Sequence, residues 1–335
     1  MGLGDADILM LDQELSTGER AVRDRVRAFC DREVRPIING CWERAEFPHE
    51  VLPGFARLGI VGGSLADHGG PGLTPRASGV AAMELARCDG SISTFFGVHS
   101  GLATQTIALL GSQDQRARWL PDMCALTAVG AFALTEPDHG SDAINLTTRA
   151  RRDGDEWVID GAKRWIGNAT FADLIVVWAR DEATGDVGAF VVPGGTPGLD
   201  ATPITGKIGK RASIQADVTL TDVRVPGDHR LEGGRSFADA ARVLASARPG
   251  VAWAALGHAI AAYEIAFSYV SERSSFGRPL AGHQLVQEAL ATMLAEITTM
   301  RLLCVRIADL AAAGRTTPAM ASLAKMHNAR AARRV

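Results

Sequence analysis

The chain has 335 residues, enough for two or three domains around a large buried core. Lys+Arg 35 against Asp+Glu 38 leaves a formal net charge of −3, which excludes a broad basic footprint for nucleic acid. No run of eighteen apolar residues lacks charge, so no membrane span is expected.

Met1-Gly-Leu-Gly-Asp-Ala-Asp7 has no basic n-region and does not read as a signal peptide. The cysteines (Cys30, Cys41, Cys88, Cys124 and Cys304) are odd in number and scattered, with no C-x-x-C pair. Reduced structural thiols in a cytoplasmic protein follow, with no metal site.

The first segment, residues 1–128, reads as helical. Ser16-x-x-Glu19 is a capping box ahead of a helix carrying Val22, Val26, Phe29 and Cys30 on one face, and Pro36 is expected to kink or end it. A short helix over 50–58 follows. Three glycines and a proline make 66–72 a loop. Helices are expected over 77–87, 93–110 and 113–126, the last capped by Ser112-x-x-Gln115. His99 lies within apolar helix and reads as a satisfied core histidine.

The second segment, residues 129–236, changes period. Residues 129–135, 156–160, 174–179, 189–192 and 218–225 are short runs rich in Val, Ile, Phe and Trp, divided by turn residues. An antiparallel β-barrel or sandwich is expected. No βαβ alternation and no G-x-G-x-x-G occurs, which disfavours a Rossmann domain.

The third segment, residues 237–335, is helical again. Residues 240–270 are apolar nearly all round and should be buried, with a kink at Pro249. A loop at 274–282 holds Phe276-Gly277-Arg278-Pro279, and helices over 285–313 and 317–335 complete an up-down bundle. Arg330, Arg333 and Arg334 read as a solvated helix face or end.

Two stretches carry the chemistry. Phe132-Ala-Leu-Thr-Glu-Pro-Asp-His-Gly-Ser-Asp142 is a buried strand that breaks at Pro137 into a loop of small and polar residues suited to an anion. About thirty residues on stands Lys163-Arg-Trp-Ile-Gly-Asn168. Together they resemble the acyl-CoA dehydrogenase and oxidase flavoproteins, whose signature is L-T-E-P-x-x-G-S-D followed by K-x-W-I-(T/S/G)-N. The resemblance runs from about Leu11 to Val335.

The resemblance implies a helical N-terminal domain, a β middle domain, a C-terminal helical bundle, bound FAD and a homotetramer or dimer of dimers. Phe132, Ala133, Leu134, Thr135, Ser141, Trp165, Ile166 and Gly167 are then cofactor-binding. Leu134 N–H and the Thr135 hydroxyl would meet the flavin pyrimidine edge, Trp165 the ring system and Ser141 the phosphates. Arg273-x-x-Phe276-Gly277 followed by Gln284 resembles the second cofactor element, in which the arginine meets the pyrophosphate of a neighbouring subunit's FAD. Ser141, Ser93 and Arg248 are the expected substrate-binding residues. Arg248 lies on so apolar a helix that it needs an anionic partner, from the protein or from a ligand.

The implied reaction is α,β-desaturation of an acyl-CoA, with a carboxylate as general base and electrons leaving to an electron-transfer flavoprotein or to O2. Three departures matter. The family's L-G-G-x-G and the glutamate loop after it are absent up to Val335, and Ala247 occupies the alternative base position. The sequence therefore reads as C-terminally truncated, with no catalytic base, and a non-catalytic flavin- or CoA-binding subunit stays open. Gly167 replaces the usual Thr or Ser, which resembles short-chain acyl-CoA oxidases and glutaryl-CoA dehydrogenases and points to altered oxygen reactivity. Ser93, in the helix after Glu84-Leu-Ala-Arg-Cys-Asp89, stands where glutaryl-CoA enzymes hold an arginine for the distal carboxylate. With Phe95 and Phe96 beside it, a short uncharged acyl chain is expected.

Overall fold

The computed structural model describes residues 6–335, so the N-terminal reading at Met1 to Asp5 lies outside the described residues. The chain folds into two compact units, one of residues up to Pro36 with Leu73–Ser93 and Arg248–Val335, the other of Ile37–Gly72 and Thr94–Ala247.

The first unit is helical. Helix α1 (Thr17–Phe29) starts at the expected capping box, with Ser16 and Glu19 exchanging hydrogen bonds. The helical path does not end at Pro36. A π-helical turn over Cys30–Val34, closed by Arg35 N–H donating to the Cys30 carbonyl, leads into α2 (Arg35–Arg44) with Pro36 as its second residue. Of the later helices, α4 (Pro75–Cys88) and the start of α5 (Gly90–Val98) belong to this unit, whereas α3 (Leu52–Arg57), α6 (Gln105–Leu110) and α7 (Gln113–Cys124) belong to the second. A second π-helical turn, His99–Thr104, joins α5 to α6.

Helix α8 (Phe237–Glu272) runs through Pro249 unbroken, and α9 (Gln284–Ala312) and α10 (Pro318–Arg334) follow. By length and composition α8 could cross a membrane, although the sequence led us to expect no span. Its hydropathy has a local account: Ala252, Trp253, Leu256, Ala259, Ile260 and Tyr263 are buried. A Cβ on Gly79 of α4 would meet Trp253 Nε1 at 2.2 Å, and one on Gly257 would meet the Met83 carbonyl at 2.1 Å. Helices α4 and α8 thus approach closely because glycines face the contact. Arg334 pairs with Glu296 at 2.7 Å at the solvated end of α10.

The second unit holds a curled seven-stranded sheet of β1 (Gly130–Ala133), β2 (Arg149–Asp153), β3 (Glu156–Gly167), β4 (Leu174–Asp181), β5 (Val187–Pro193), β6 (Leu199–Pro203) and β7 (Gln215–Pro226). The ladders β2–β3, β3–β7, β6–β7 and β4–β5 are antiparallel, as expected. Two short pairings, β1 with β4 and β2 with β4, are parallel. Side chains alternate between two cores: Val176 and Trp178 enter one, with Phe132 and Leu134, while Ile175 and Val177 enter the other.

Candidate functional site

The two motif stretches meet in the second unit. Strand β1 leaves the sheet after Ala133, and the Thr135 carbonyl accepts the Arg164 N–H at 2.8 Å. From Lys163 to Ile166 strand β3 carries one residue more than its partner spans between Val218 and Ala216. This β-bulge puts Trp165 at φ 63° and turns its indole outward, 52% exposed, while Ile166 and Gly167 stay buried. A non-glycine residue at positive φ costs on the order of 1–3 kcal/mol, so the surroundings must hold it. Trp165 is therefore not a core residue. The Arg164 guanidinium sits over its ring at 5.5 Å.

Ties to β1 flank the bulge. On one side the Lys163 ammonium donates to the Leu134 carbonyl at 3.2 Å and to Glu136 at 2.9 Å. On the other, Asn168 Nδ2 donates to the Gly130 carbonyl at 3.2 Å. Phe132, Ala133, Leu134, Thr135, Trp165, Ile166 and Gly167 are thereby assembled on two cross-linked segments. Sequence reasoning passed over the roles of Glu136, Lys163 and Asn168. The only signal for them was their place inside the two motifs.

Glu136 is buried and accepts from Thr147 N at 2.6 Å, Thr147 Oγ1 at 2.8 Å and Thr148 N at 2.9 Å, besides Lys163. Burial works to raise its pKa, but Lys163 and these donors outweigh it and hold the carboxyl at about 2. Burial brings the Lys163 ammonium down to about 8, against the pull of Glu136.

His99 is a satisfied core histidine, as read from sequence. Its Nδ1 accepts the Gly130 N–H at 2.8 Å, which fixes the Nε2–H tautomer that donates to the Met123 carbonyl at 3.0 Å. Full burial pushes its pKa down to about 4.

Ser141 lies in the exposed loop after β1. The backbone N–H groups of Gly140 and Ser141, and the Thr135 hydroxyl, find no internal partner among the described residues. Free hydroxyl and amide donors beside an outward indole suit a planar, phosphate-bearing ligand such as FAD.

The remaining predicted residues belong to the first unit. Ser93 is buried on α5, and Asp89 caps that helix by accepting from Ser91 N and Ile92 N at 2.7 and 3.0 Å. Arg248 is half-buried on α8 and has no acidic partner among the described residues. Arg273, Phe276 and Gln284 surround a two-strand hairpin, β8 (Ser274–Ser275) with β9 (Arg278–Pro279). Phe276 and Gly277 form its turn at φ 51° and 78°, and Phe276 is 95% exposed.

All five cysteines are free, and no group of His, Cys, Asp or Glu among the described residues could hold a metal. Neither Glu136 nor Glu264 is an idle carboxylate, since Glu264 pairs with Arg87 at 2.8 Å.

Residues 16–127, 131–223 and 234–335 match the N-terminal, middle and C-terminal domains of acyl-CoA dehydrogenase. The chain is 35% identical over 302 residues to the mitochondrial short-chain specific acyl-CoA dehydrogenase of Bos taurus, covering 89% of this chain and 73% of that one. A crystal structure of glutaryl-CoA dehydrogenase from Mycobacterium smegmatis is similar at a TM-score of 0.94 with 39% identity, over 98% of this chain and 84% of that one. A second, of a glutaryl-CoA dehydrogenase of that organism in complex with FADH2, is similar at 0.94 with 35% identity, over 97% and 84%. The chain belongs to the acyl-CoA dehydrogenase family, FAD-dependent oxidoreductases that act on acyl-CoA.

Proposed function

We propose that this chain dehydrogenates a short, uncharged acyl-CoA at its α,β carbons and passes the electrons to a flavoprotein acceptor. The observation that carries the reading is the cross-linked pair of segments bearing Thr135 and Trp165. Leu134 and Thr135 would hold the pyrimidine edge of FAD, Trp165 would cover its ring, and Gly140 and Ser141 would meet its phosphates. FAD supplies the hydride acceptor when bound. Ser141, Ser93 and Arg248 would bind the acyl-CoA, Arg248 through its unpaired guanidinium.

The substrate class rests on α5. Ser93 offers no cation to a distal carboxylate, and the neighbouring Phe95 is buried among Phe47, Phe55, Phe171 and His99. A dicarboxylic chain would carry an unpaired charge into such surroundings. Two similar solved structures are glutaryl-CoA dehydrogenases, and the titration below sets the two acyl chains against each other.

Exposed Ile265, Tyr269, Phe276 and Leu285 on the first unit favour docking of further subunits, which supports a homotetramer in which Arg273, Phe276 and Gln284 complete a neighbour's cofactor site. Five free thiols support a reducing, cytoplasmic compartment.

Anaerobic titration of the purified chain with butyryl-CoA and glutaryl-CoA, followed at the flavin absorbance band, tests the reading. Bleaching by butyryl-CoA at the lower concentration is expected. A flavin that binds and stays oxidised would support a non-catalytic flavin- or CoA-binding subunit. Gly167 favours a second reading, an acyl-CoA oxidase, which would release hydrogen peroxide in air at the rate of turnover.

A further inference from the structure

The geometry points to Glu136 and Lys163 as positioning residues, whose buried ion pair fixes the Trp165 bulge and the Leu134–Thr135 edge relative to each other. The inference deepens the flavin-binding reading above and rests on it.

Both side chains are closed to solvent, at 2% and 0% exposure, and neither is placed to touch a ligand. Their polar contacts run to the segments that carry the site. Lys163 reaches back from β3 to the Leu134 carbonyl and the Glu136 carboxylate. Glu136 in turn collects Thr147 and Thr148, where the loop containing Ser141 returns toward β2. One carboxylate thus ties together the end of β1, the entry to β2 and the start of the bulge.

A buried ion pair is a poor means of adding stability, because apolar residues of equal volume often serve as well. What it adds is geometric definition. The carboxylate has four donors at 2.6–2.9 Å, close to its full capacity. Two residues past Lys163 the backbone takes the left-handed conformation at Trp165, which needs a fixed neighbour to persist.

Three variants of the full chain test this: Lys163→Met, Thr147→Val and, as a control, Glu84→Gln in the first unit. Thr147 is exposed, so removing its hydroxyl loosens the carboxylate without stranding a buried charge. Two readouts are taken on folded protein: the FAD dissociation constant from flavin fluorescence, and amide exchange of residues 163–168 in flavin-free chain. Lys163→Met is expected to weaken FAD binding about tenfold or more and Thr147→Val about threefold, both with faster exchange in the bulge. Glu84→Gln is expected to change neither. Should Lys163→Met fail to fold, Thr147→Val decides. Wild-type affinity together with wild-type exchange in the folded variants would overturn the proposal, as would an equal loss of affinity in the control. If the unaltered chain binds no FAD, the flavin reading fails by itself, and the exchange data still decide whether the pair fixes the bulge.

Discussion

A Cβ on Gly167 would stand 3.1 Å from Cγ2 of Val98, the last residue of α5. Valine is stiff at χ1, so it has little room to give way. Any larger residue at 167 must push Val98 or shift the strand. The missing hydroxyl in the Trp-Ile-Gly-Asn stretch is therefore matched by a methyl group that fills part of its place.

Gly167→Thr is expected to cost about 1–3 kcal/mol of stability through overpacking. Val98→Ala in the same chain should recover a large part of it. Urea unfolding of the two variants and their combination measures the coupling. The same variants test oxygen reactivity: reduced flavin in the unaltered chain should reoxidise in air faster than in Gly167→Thr.

The unfolding free energy should fall as acid is added below pH 6.5. His99 has an ordinary value of 6.5 and is held at about 4 in the fold by burial. Between those values the unfolded chain binds the proton that the folded chain refuses, so stability drops by at most about 1.4 kcal/mol per pH unit from this residue. Glu136, held at about 2 against an ordinary 4.5, adds a second loss at lower pH. Comparing urea midpoints at pH 7.5 and 5 checks this. His99→Leu should be less stable at both, since Gly130 N–H and the Met123 carbonyl lose their partner, but with a flatter pH dependence.

Glu84 is 1% exposed and pairs with Arg27 at 2.8 Å and Arg87 at 3.5 Å. Arg87 extends the chain of charges to Glu264. Glu84→Gln should destabilise the protein by about 3 kcal/mol, because the half-buried Arg27 guanidinium loses its counter-charge and Arg87 keeps only Glu264. Thermal unfolding reads the loss, and FAD affinity should not change.

Phe276 is the turn residue of a hairpin and leaves nearly its whole ring in water, forgoing about 1.5–3 kcal/mol of burial. Phe276→Asp is expected to lower the oligomeric state in analytical ultracentrifugation with little change in the helical signal. FAD should be retained less well at low protein concentration. An unchanged sedimentation profile with unchanged FAD retention would count against a shared cofactor site.

The sequence by itself determined the helical–β–helical order and the capped starts of α1 and α7. Hydrophobic period and capping chemistry are local, and each is decided within a few residues. It also determined the family, through short motifs at fixed spacing. Two strands of the seven-stranded sheet escaped it. Arg149-Ala-Arg-Arg-Asp153 buries only Ala150, and Leu199–Pro203 is mostly exposed, so neither shows the apolar signal of a half-buried strand. The continuation past Pro36 escaped it as well, because a π-helical turn depends on packing rather than on composition. Tertiary structure alone decided that Trp165 faces outward on a bulge, that Lys163 and Glu136 meet in a dry interior, and that Val98 answers Gly167. Each of these joins residues about thirty or more positions apart, and no local propensity encodes which distant partner a buried charge or a missing side chain will find.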